Sequence, residues 1–258
     1  MFRSNSISRL LKGGEMMKII GLALGITILL AGMAVAEPVT FDVYQGWNLL
    51  AVPQVPFEPA VPDIFGTIPT IDMLSTFDAI GASDFPYNDD TKEFFGGMLL
   101  GSGYWLWLDA ESATVSYEGV PDGVPDMAGD PPAPVEGTRT DMWVSLPGAD
   151  SDGDGVTDIG GWHMIGCPYN HLVDIGVDGA NIKFTDGTTV KTWAEACAEP
   201  GAWVSSNMVG FAGGSDVNTG FAEDQLNCLI PSLGYWFWTN QANLAMIVDG
   251  SATYVWPE

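Results

Sequence analysis

The chain has 258 residues, of which 47% are hydrophobic and 11% aromatic, so it can build a core and is not a disordered acidic tail. It carries 33 acidic residues against eight basic ones, a formal net charge of −25. Such an acidic surface repels nucleic acid and anionic lipid and attracts divalent cations, which argues against nucleic-acid-binding proteins and peripheral proteins of anionic membranes. The length fits two domains of ordinary size.

Residues 1–36 have the three-part pattern of a secretory signal peptide. Lys18 supplies the positive start, residues 19–30 form an apolar run, and an Ala-Val-Ala cleavage site ends at Ala36. The apolar run is too short to cross a membrane comfortably, and a retained N-terminal anchor is the alternative interpretation. We therefore expect a secreted or cell-envelope protein with no membrane span once the signal is cleaved.

The translation start and the charge of the mature chain both depend on this segment. A start at Met16 or Met17 would place the basic residue directly before the apolar run, which N-terminal sequencing of the precursor would test. Cleavage after Ala36 removes four basic residues and one acidic residue. Residues 37–258 then keep four basic residues against 32 acidic ones, a formal charge of −28.

Two sequence landmarks occur twice in the same order, which indicates an internal repeat. The first is GWNLLAVP at residues 46–53 and GWHMIGCP at residues 161–168. The second is GYWLW at residues 103–107 and GYWFW at residues 234–238. Both are short, aromatic or branched, and bounded by glycine or proline, as β-strands are. We therefore predict an all-β chain of two tandem antiparallel β-sandwich or barrel domains.

The repeat also sets the predicted domain boundaries. A first module covers residues 37–122, a Pro-rich, semi-rigid linker covers residues 123–140, and a second module covers residues 141–258. Only residues 62–65 and 192–198 are expected to form one or two helical turns.

The landmarks resemble the "GWNLISLP…GYWV" modules that occur in tandem in secreted and surface proteins of bacteria and archaea. In the second module His163 replaces Asn48 and Met164 replaces Leu49, which leaves the core pattern intact. The resemblance implies an accessory or surface role more than a reaction.

The segment DSDGDGVTD at residues 150–158 has the spacing of a calcium-binding loop. Calcium needs six to eight hard oxygen ligands, and alternate aspartates on a tightly turned loop converge on one point. The order resembles thrombospondin type 3 and dockerin-type loops, but Gly161 stands where an EF-hand has a bidentate glutamate. The alternative is a polar loop in an acidic protein. The predicted ligands are four carboxylates and one backbone carbonyl: Asp150, Asp152, Asp154, Asp158 and Val156.

The second module also contains all three cysteines and an enlarged middle segment. Because Cys167 aligns with the core position Val52, Cys197 and Cys228 are predicted to form a disulfide in an oxidising compartment, although other pairings remain open. Trp193 and Trp203 are the candidates for an exposed platform that stacks on sugar rings.

No pattern of catalytic residues accompanies these features. The sequence has no Ser-centred elbow, no Gly-rich phosphate loop and no His-Glu metal motif. We therefore expect a non-catalytic, exported structural or interaction protein that is stabilised by calcium. Its candidate partners are another copy of itself at the cell surface, a surface protein or a polysaccharide. The alternative function is an extracellular carbohydrate-binding protein.

Overall fold

The computed structural model describes residues 37–256, apart from residues 67, 69, 70 and 121–140. The predicted signal peptide and the predicted linker therefore lie outside the described residues. The described parts of both modules belong to one compact unit. Within these described parts, no helix is long and apolar enough to span a membrane.

The first module is one antiparallel sheet of four strands with two short helices beside it. Its elements are β1 (Glu37–Ala51), α1 (Val61–Phe65), β2 (Ile71–Asp78), β3 (Ser83–Pro86), α2 (Lys92–Phe95) and β4 (Gly103–Gly119). The strand order is β1-β4-β2-β3. Strands β1 and β4 pair along almost their whole length, with one irregularity in register between Tyr44 and Gly46.

The second module divides its strands among three sheets. Its elements are β5 (Met142–Leu146), β6 (Trp162–Gly166), β7 (Val173–Asp174), β8 (Ile182–Thr185), β9 (Val190–Thr192), α3 (Trp193–Cys197), β10 (Asn207–Ala212), β11 (Ser215–Gly220), β12 (Cys228–Leu229), β13 (Gly234–Trp238) and β14 (Leu244–Val248), with a 3₁₀ turn at Val177–Gly179. The strand orders are β11-β10-β13-β6, β5-β14-β8-β9 and β12-β7.

The all-β prediction is confirmed, in the sandwich rather than the barrel form. All strand pairings between these elements are antiparallel, and the sheets that the described residues form are open rather than closed. Both landmarks are strands in both modules, and the two predicted helical turns are α1 and α3. Helix α3 begins with a capping box, in which Thr192 and Glu195 satisfy each other's backbone N–H groups.

Strands that are continuous in the first module are interrupted in the second. Residues of β1 pair with β4 from Glu37 to Ala51, whereas β5 pairs with β14 and β6 pairs separately with β13. Residues 147–161 connect β5 to β6 and contain the predicted calcium loop. The loop therefore lies where the first module has only a bulge in one long strand.

The two modules pack through contacts that match position for position when the landmarks are aligned. The backbone N–H of Ala51 donates to Ser232 O at 2.9 Å, and the aligned Gly166 donates to Gly101 O at 3.0 Å. A Cβ on Gly166 would lie 2.2 Å from the Cβ of Ala51, so the aligned positions of the two strands meet each other. This is the pattern of an isologous interface, built here within one chain.

The glycine that opens each second landmark permits this close approach. A Cβ on Gly103 would lie 2.8 Å from the carbonyl oxygen of Ile165. A Cβ on Gly234 would lie 2.8 Å from the carbonyl oxygen of Leu50, the position that aligns with Ile165. Each module also has its own apolar core, one around Leu106 and Leu108 and the other around Phe184 and Phe237.

Candidate calcium loop and aromatic surface

The predicted calcium loop is closed at its base by the main chain. Ala149 and Ile159 form an antiparallel bridge, with Ala149 N donating to Ile159 O at 3.0 Å. Between them the backbone turns at Gly153 and Gly155, whose φ angles of +80° and +88° suit glycine. The bridge and the two turns therefore fold residues 150–158 into a tight loop, which brings the side chains of alternate aspartates together.

Three of the predicted ligands converge. Asp150, Asp152 and Asp154 each offer a carboxylate oxygen, and these oxygens lie within 4.8 Å of one another. Hard carboxylate oxygens at this spacing are the donor set that calcium prefers. The residues present therefore fit a calcium ion, which would be held by these three carboxylates and would neutralise their mutual repulsion.

Backbone N–H groups of the loop orient these carboxylates. Asp150 accepts from Gly153 N at one oxygen and from Gly155 N at the other, both at 2.7 Å. Asp152 and Asp154 each accept from the backbone N–H two residues further on, at 3.2 and 2.8 Å. The hydrogen bonds from Gly155 and Gly153 lower the pKa of Asp150, which keeps this carboxylate ionised.

The other two predicted ligands lie at the end of the loop. Asp158 is not part of the carboxylate cluster and instead accepts from Ser151 Oγ at 2.6 Å and from Ser151 N at 3.0 Å. These bonds from Ser151 lower the pKa of Asp158. Val156 is 62% exposed, and its backbone N–H donates to Asp154. A role for Val156 through its backbone, not its side chain, fits this exposure.

The loop is tied to both modules. Asp150 N donates to the carbonyl oxygen of Ile80, in the turn between β2 and β3 of the first module, at 3.1 Å. Thr157 Oγ1 donates to Asn243 Oδ1, just before β14 of the second module, at 3.0 Å. An ion that fixed the loop would therefore also fix the junction between the modules.

The predicted disulfide is wrong in this structure. Cys197 and Cys228 are both free thiols, Cys228 buried and Cys197 partly buried. Cys228 lies in β12, and Cys197 ends α3, where its Sγ is 3.5 Å from the carbonyl oxygen of Ala194. Burial raises the pKa of the Cys228 thiol to about 11. The oxidising compartment and the assignment of Cys167 to the core do not determine how close β12 and α3 bring Cys228 and Cys197.

Neither predicted stacking tryptophan is an open platform. Trp193 is fully buried, with its Nε1 donating to Ser205 O at 2.7 Å, so the prediction of an exposed ring is wrong. Trp193 opens helix α3, which packs that ring between Phe184, Phe221 and Phe237. Trp203 is partly buried, and Lys191 Nζ lies 3.8 Å from its ring centroid.

The two histidines are both in the second module. His163 is 3% exposed, its Nε2 lies 3.2 Å from Thr239 Oγ1, and burial lowers its pKa to about 4. His171 packs beside Tyr169, with ring centroids 5.3 Å apart. Neither histidine belongs to a group of metal-ligating side chains among the described residues.

The exposed aromatic surface is formed instead by the landmark strands. In the first module Trp47 contacts Trp105 and Trp107, with ring centroids 5.7 and 5.2 Å apart. In the second module the aligned Trp162 contacts Trp236 and Trp238 at 6.0 and 5.2 Å. Trp47 and Trp162 are 38% and 50% exposed, so these two rings are surface residues and not core residues.

Each of these clusters is completed by a phenylalanine from the other module. Phe211 packs edge-to-face on Trp105 at 5.7 Å, and Phe77 packs edge-to-face on Trp236 at 4.9 Å. Beside Trp47 a cleft of about 580 Å³, here called the aromatic cleft, opens on the outer face of the first sheet. Its lining includes Trp47, Met73, Asp84, Pro86, Trp105 and Phe211. Sequence spacing gave no sign of it, because one wall comes from the other module.

No protein-family model, curated protein sequence or solved structure matches this chain.

Proposed function

We propose that this chain is an exported, non-catalytic structural or interaction protein whose module junction is stabilised by one calcium ion. The observation that carries the proposal is the convergence of Asp150, Asp152 and Asp154 within 4.8 Å on a loop that is hydrogen-bonded to the first module at Ile80. The N-terminal signal pattern supports export, and the absence of a catalytic motif in the sequence supports a non-catalytic role.

Calcium would act by holding the loop in one conformation. Without the ion, clustered carboxylates repel one another and weaken the turn that their own backbone hydrogen bonds maintain. With the ion, the Asp150 backbone is held in place, and its N–H keeps the bond to Ile80 O in the first module. The Thr157–Asn243 bond extends the same constraint to the second module. The loop thus connects the two modules at a second point, formed by other residues than the Ala51–Gly166 contact.

The acidic surface supports the same proposal. With a formal charge of −25 the chain gathers divalent cations around it, and calcium is the abundant cation that suits carboxylate ligands in an extracellular setting. Calcium bridging between acidic surfaces would also favour self-association at the cell surface. This part of the proposal is tested separately from the loop.

Isothermal titration of the full chain with calcium tests the site. We expect one ion to bind with a Kd of about 10⁻⁴–10⁻³ M, the range of extracellular calcium modules, because no bidentate glutamate completes the loop. The double variant Asp152→Asn/Asp154→Asn should lose this binding. The control Asp90→Asn/Asp224→Asn removes the same charge from two exposed positions outside the loop and should keep it.

Electron microscopy and sedimentation velocity, with and without calcium, test the assembly. Calcium-dependent filaments, sheets or oligomers would support self-association. A chain that binds calcium in the titration but stays monomeric at every concentration would retain the site and remove self-association from the proposal. Equal calcium binding by both double variants would reject the loop as the site.

A further inference from the structure

The aromatic cleft has the composition of a ligand site rather than of a core. Two of its walls are well exposed, since Trp47 is 38% and Met73 46% accessible to solvent. Asp84 is exposed and lines the same cleft. In the described part of the chain the one salt bridge joins Lys92 to Asp89, so Asp84 forms no salt bridge with a described basic side chain.

The ring geometry favours a compact ligand over a flat one. Trp47 and Trp105 are inclined at 72° to each other, and Trp105 and Phe211 at 63°. An extended sugar chain stacks on rings whose faces lie in one plane, and neighbouring rings of this cleft do not offer such faces. Inclined rings contact a small group from several directions, which is how aromatic cages hold methylated ammonium groups.

The charge of the site and of the whole chain favours a cation. Among aromatic side chains, indole rings attract cations most strongly through their negative faces, and the carboxylate of Asp84 adds a full negative charge. The chain as a whole has a formal net charge of −25, which raises the local concentration of cations and repels anions.

The aligned surface of the second module keeps the aromatic and acidic parts of this arrangement. Asp84 pairs with Phe77 across β2 and β3, and Asp216 pairs with Phe211 across β10 and β11. Strand register also matches Ser75, opposite Trp105, to Val209, opposite Trp236. The flanking residues differ, because Asn207 and Asn218 take the places of Met73 and Pro86 and hydrogen-bond to each other at 2.8 Å. The second module therefore has no apolar counterpart to Met73 and Pro86 of the cleft.

From these observations we infer that the aromatic cleft binds a small organic cation with a methylated ammonium head. The head lies against Trp47, Trp105 and Met73, and Asp84 supplies the counter-charge. The inference does not depend on calcium, since none of these residues belongs to the calcium loop.

Titration calorimetry of the full chain with choline tests the inference at saturating calcium. The neutral analogue 3,3-dimethyl-1-butanol has the same shape without the charge. We expect choline to bind with a Kd in the millimolar range and the neutral analogue at least about tenfold more weakly, since only the cation gains the ring and carboxylate attraction. Equal binding of both, or no binding of choline, would overturn the inference.

Matched variants locate the site. Trp47→Ala and Asp84→Asn should each weaken choline binding at least about tenfold. Trp256→Ala removes an exposed tryptophan and Asp90→Asn an exposed carboxylate, both outside the cleft, and each should leave the affinity unchanged. Circular dichroism and the calcium titration confirm that the variants are folded. Equal losses in the control variants, or binding of neutral oligosaccharides in place of choline, would reject the cation site.

Discussion

His163 and Asn48 occupy aligned positions in the two modules, and both are buried. Asn48 is satisfied locally, since its side chain accepts from Tyr44 N at 3.0 Å and donates to Tyr44 O at 2.7 Å. His163 instead reaches Thr239, the residue that follows β13. The exchange places a titratable ring in the second module only. Its pKa of about 4 in the folded chain means that the folded state binds its proton far less readily than the unfolded state, where it is near 6.5.

This difference predicts a pH dependence of stability. Between pH 6.5 and 4 this histidine is protonated in the unfolded state but not in the folded state. The free energy of unfolding should therefore decrease as the pH is lowered, by up to about 3 kcal/mol at pH 4. Carboxylates with a lowered pKa, such as Asp150 and Asp158, also lose their contribution from about pH 5 downward, because the unfolded state takes up protons around their ordinary value of 3.8. Comparison with a variant that lacks the histidine therefore separates its effect from that of the carboxylates.

Chemical denaturation of the wild type and of His163→Asn at pH 7 and pH 4.5 measures this effect. The variant is expected to be less stable at pH 7, because asparagine is smaller, but its stability should change less between the two pH values. Parallel pH profiles for the two proteins would assign the dependence to other groups.

At the scale of strands, the modules meet where Gly166 faces Ala51. A Cβ on Gly166 would lie 2.2 Å from that of Ala51 and 2.9 Å from Ser102 O. Gly166→Ala should therefore destabilise the chain by about 1–3 kcal/mol, the usual cost of overpacking. Because the two positions are aligned, the exchange Ala51→Gly/Gly166→Ala should recover part of that loss.

Urea denaturation of both single variants and the double variant forms a double-mutant cycle. We expect the double variant to be more stable than the sum of the single effects by at least about 0.5 kcal/mol. Strictly additive effects would show that the two residues do not limit the approach of the strands.

The strands themselves were predictable, and the contacts between modules were not. The landmarks predict strands, such as the one over Trp47–Val52, because aromatic and branched residues bounded by glycine favour an extended backbone. Helical turns are expected over residues 192–198, and Thr192 and Glu195 at the start of this range have the spacing of a capping box. In contrast, the burial of Trp193 depends on how helix α3 packs against Phe184 and Phe237 of its own module, which the spacing of residues along the chain cannot show. The convergence of Asp150, Asp152 and Asp154 could be predicted because these residues are local in sequence, whereas the aromatic cleft includes Phe211 from a distant strand.

At the scale of the whole molecule, the described modules form one unit and not two independent ones. They share the Ala51–Ser232 and Gly166–Gly101 hydrogen bonds, and the proposed calcium loop adds the Asp150–Ile80 bond at another point of the junction. Elements connected in this way unfold cooperatively, so a single transition is expected. An ion that binds only the folded loop raises the stability of the entire unit by mass action.

Differential scanning calorimetry with and without calcium tests this account most directly. For the wild type we predict a single transition whose Tm rises by about 5–10 °C when calcium exceeds its Kd about a hundredfold. The same experiment on Asp152→Asn/Asp154→Asn should show no calcium-dependent rise, while Asp90→Asn/Asp224→Asn should behave as the wild type. A wild-type Tm that calcium does not change, or an equal rise in the loop variant, would contradict the account.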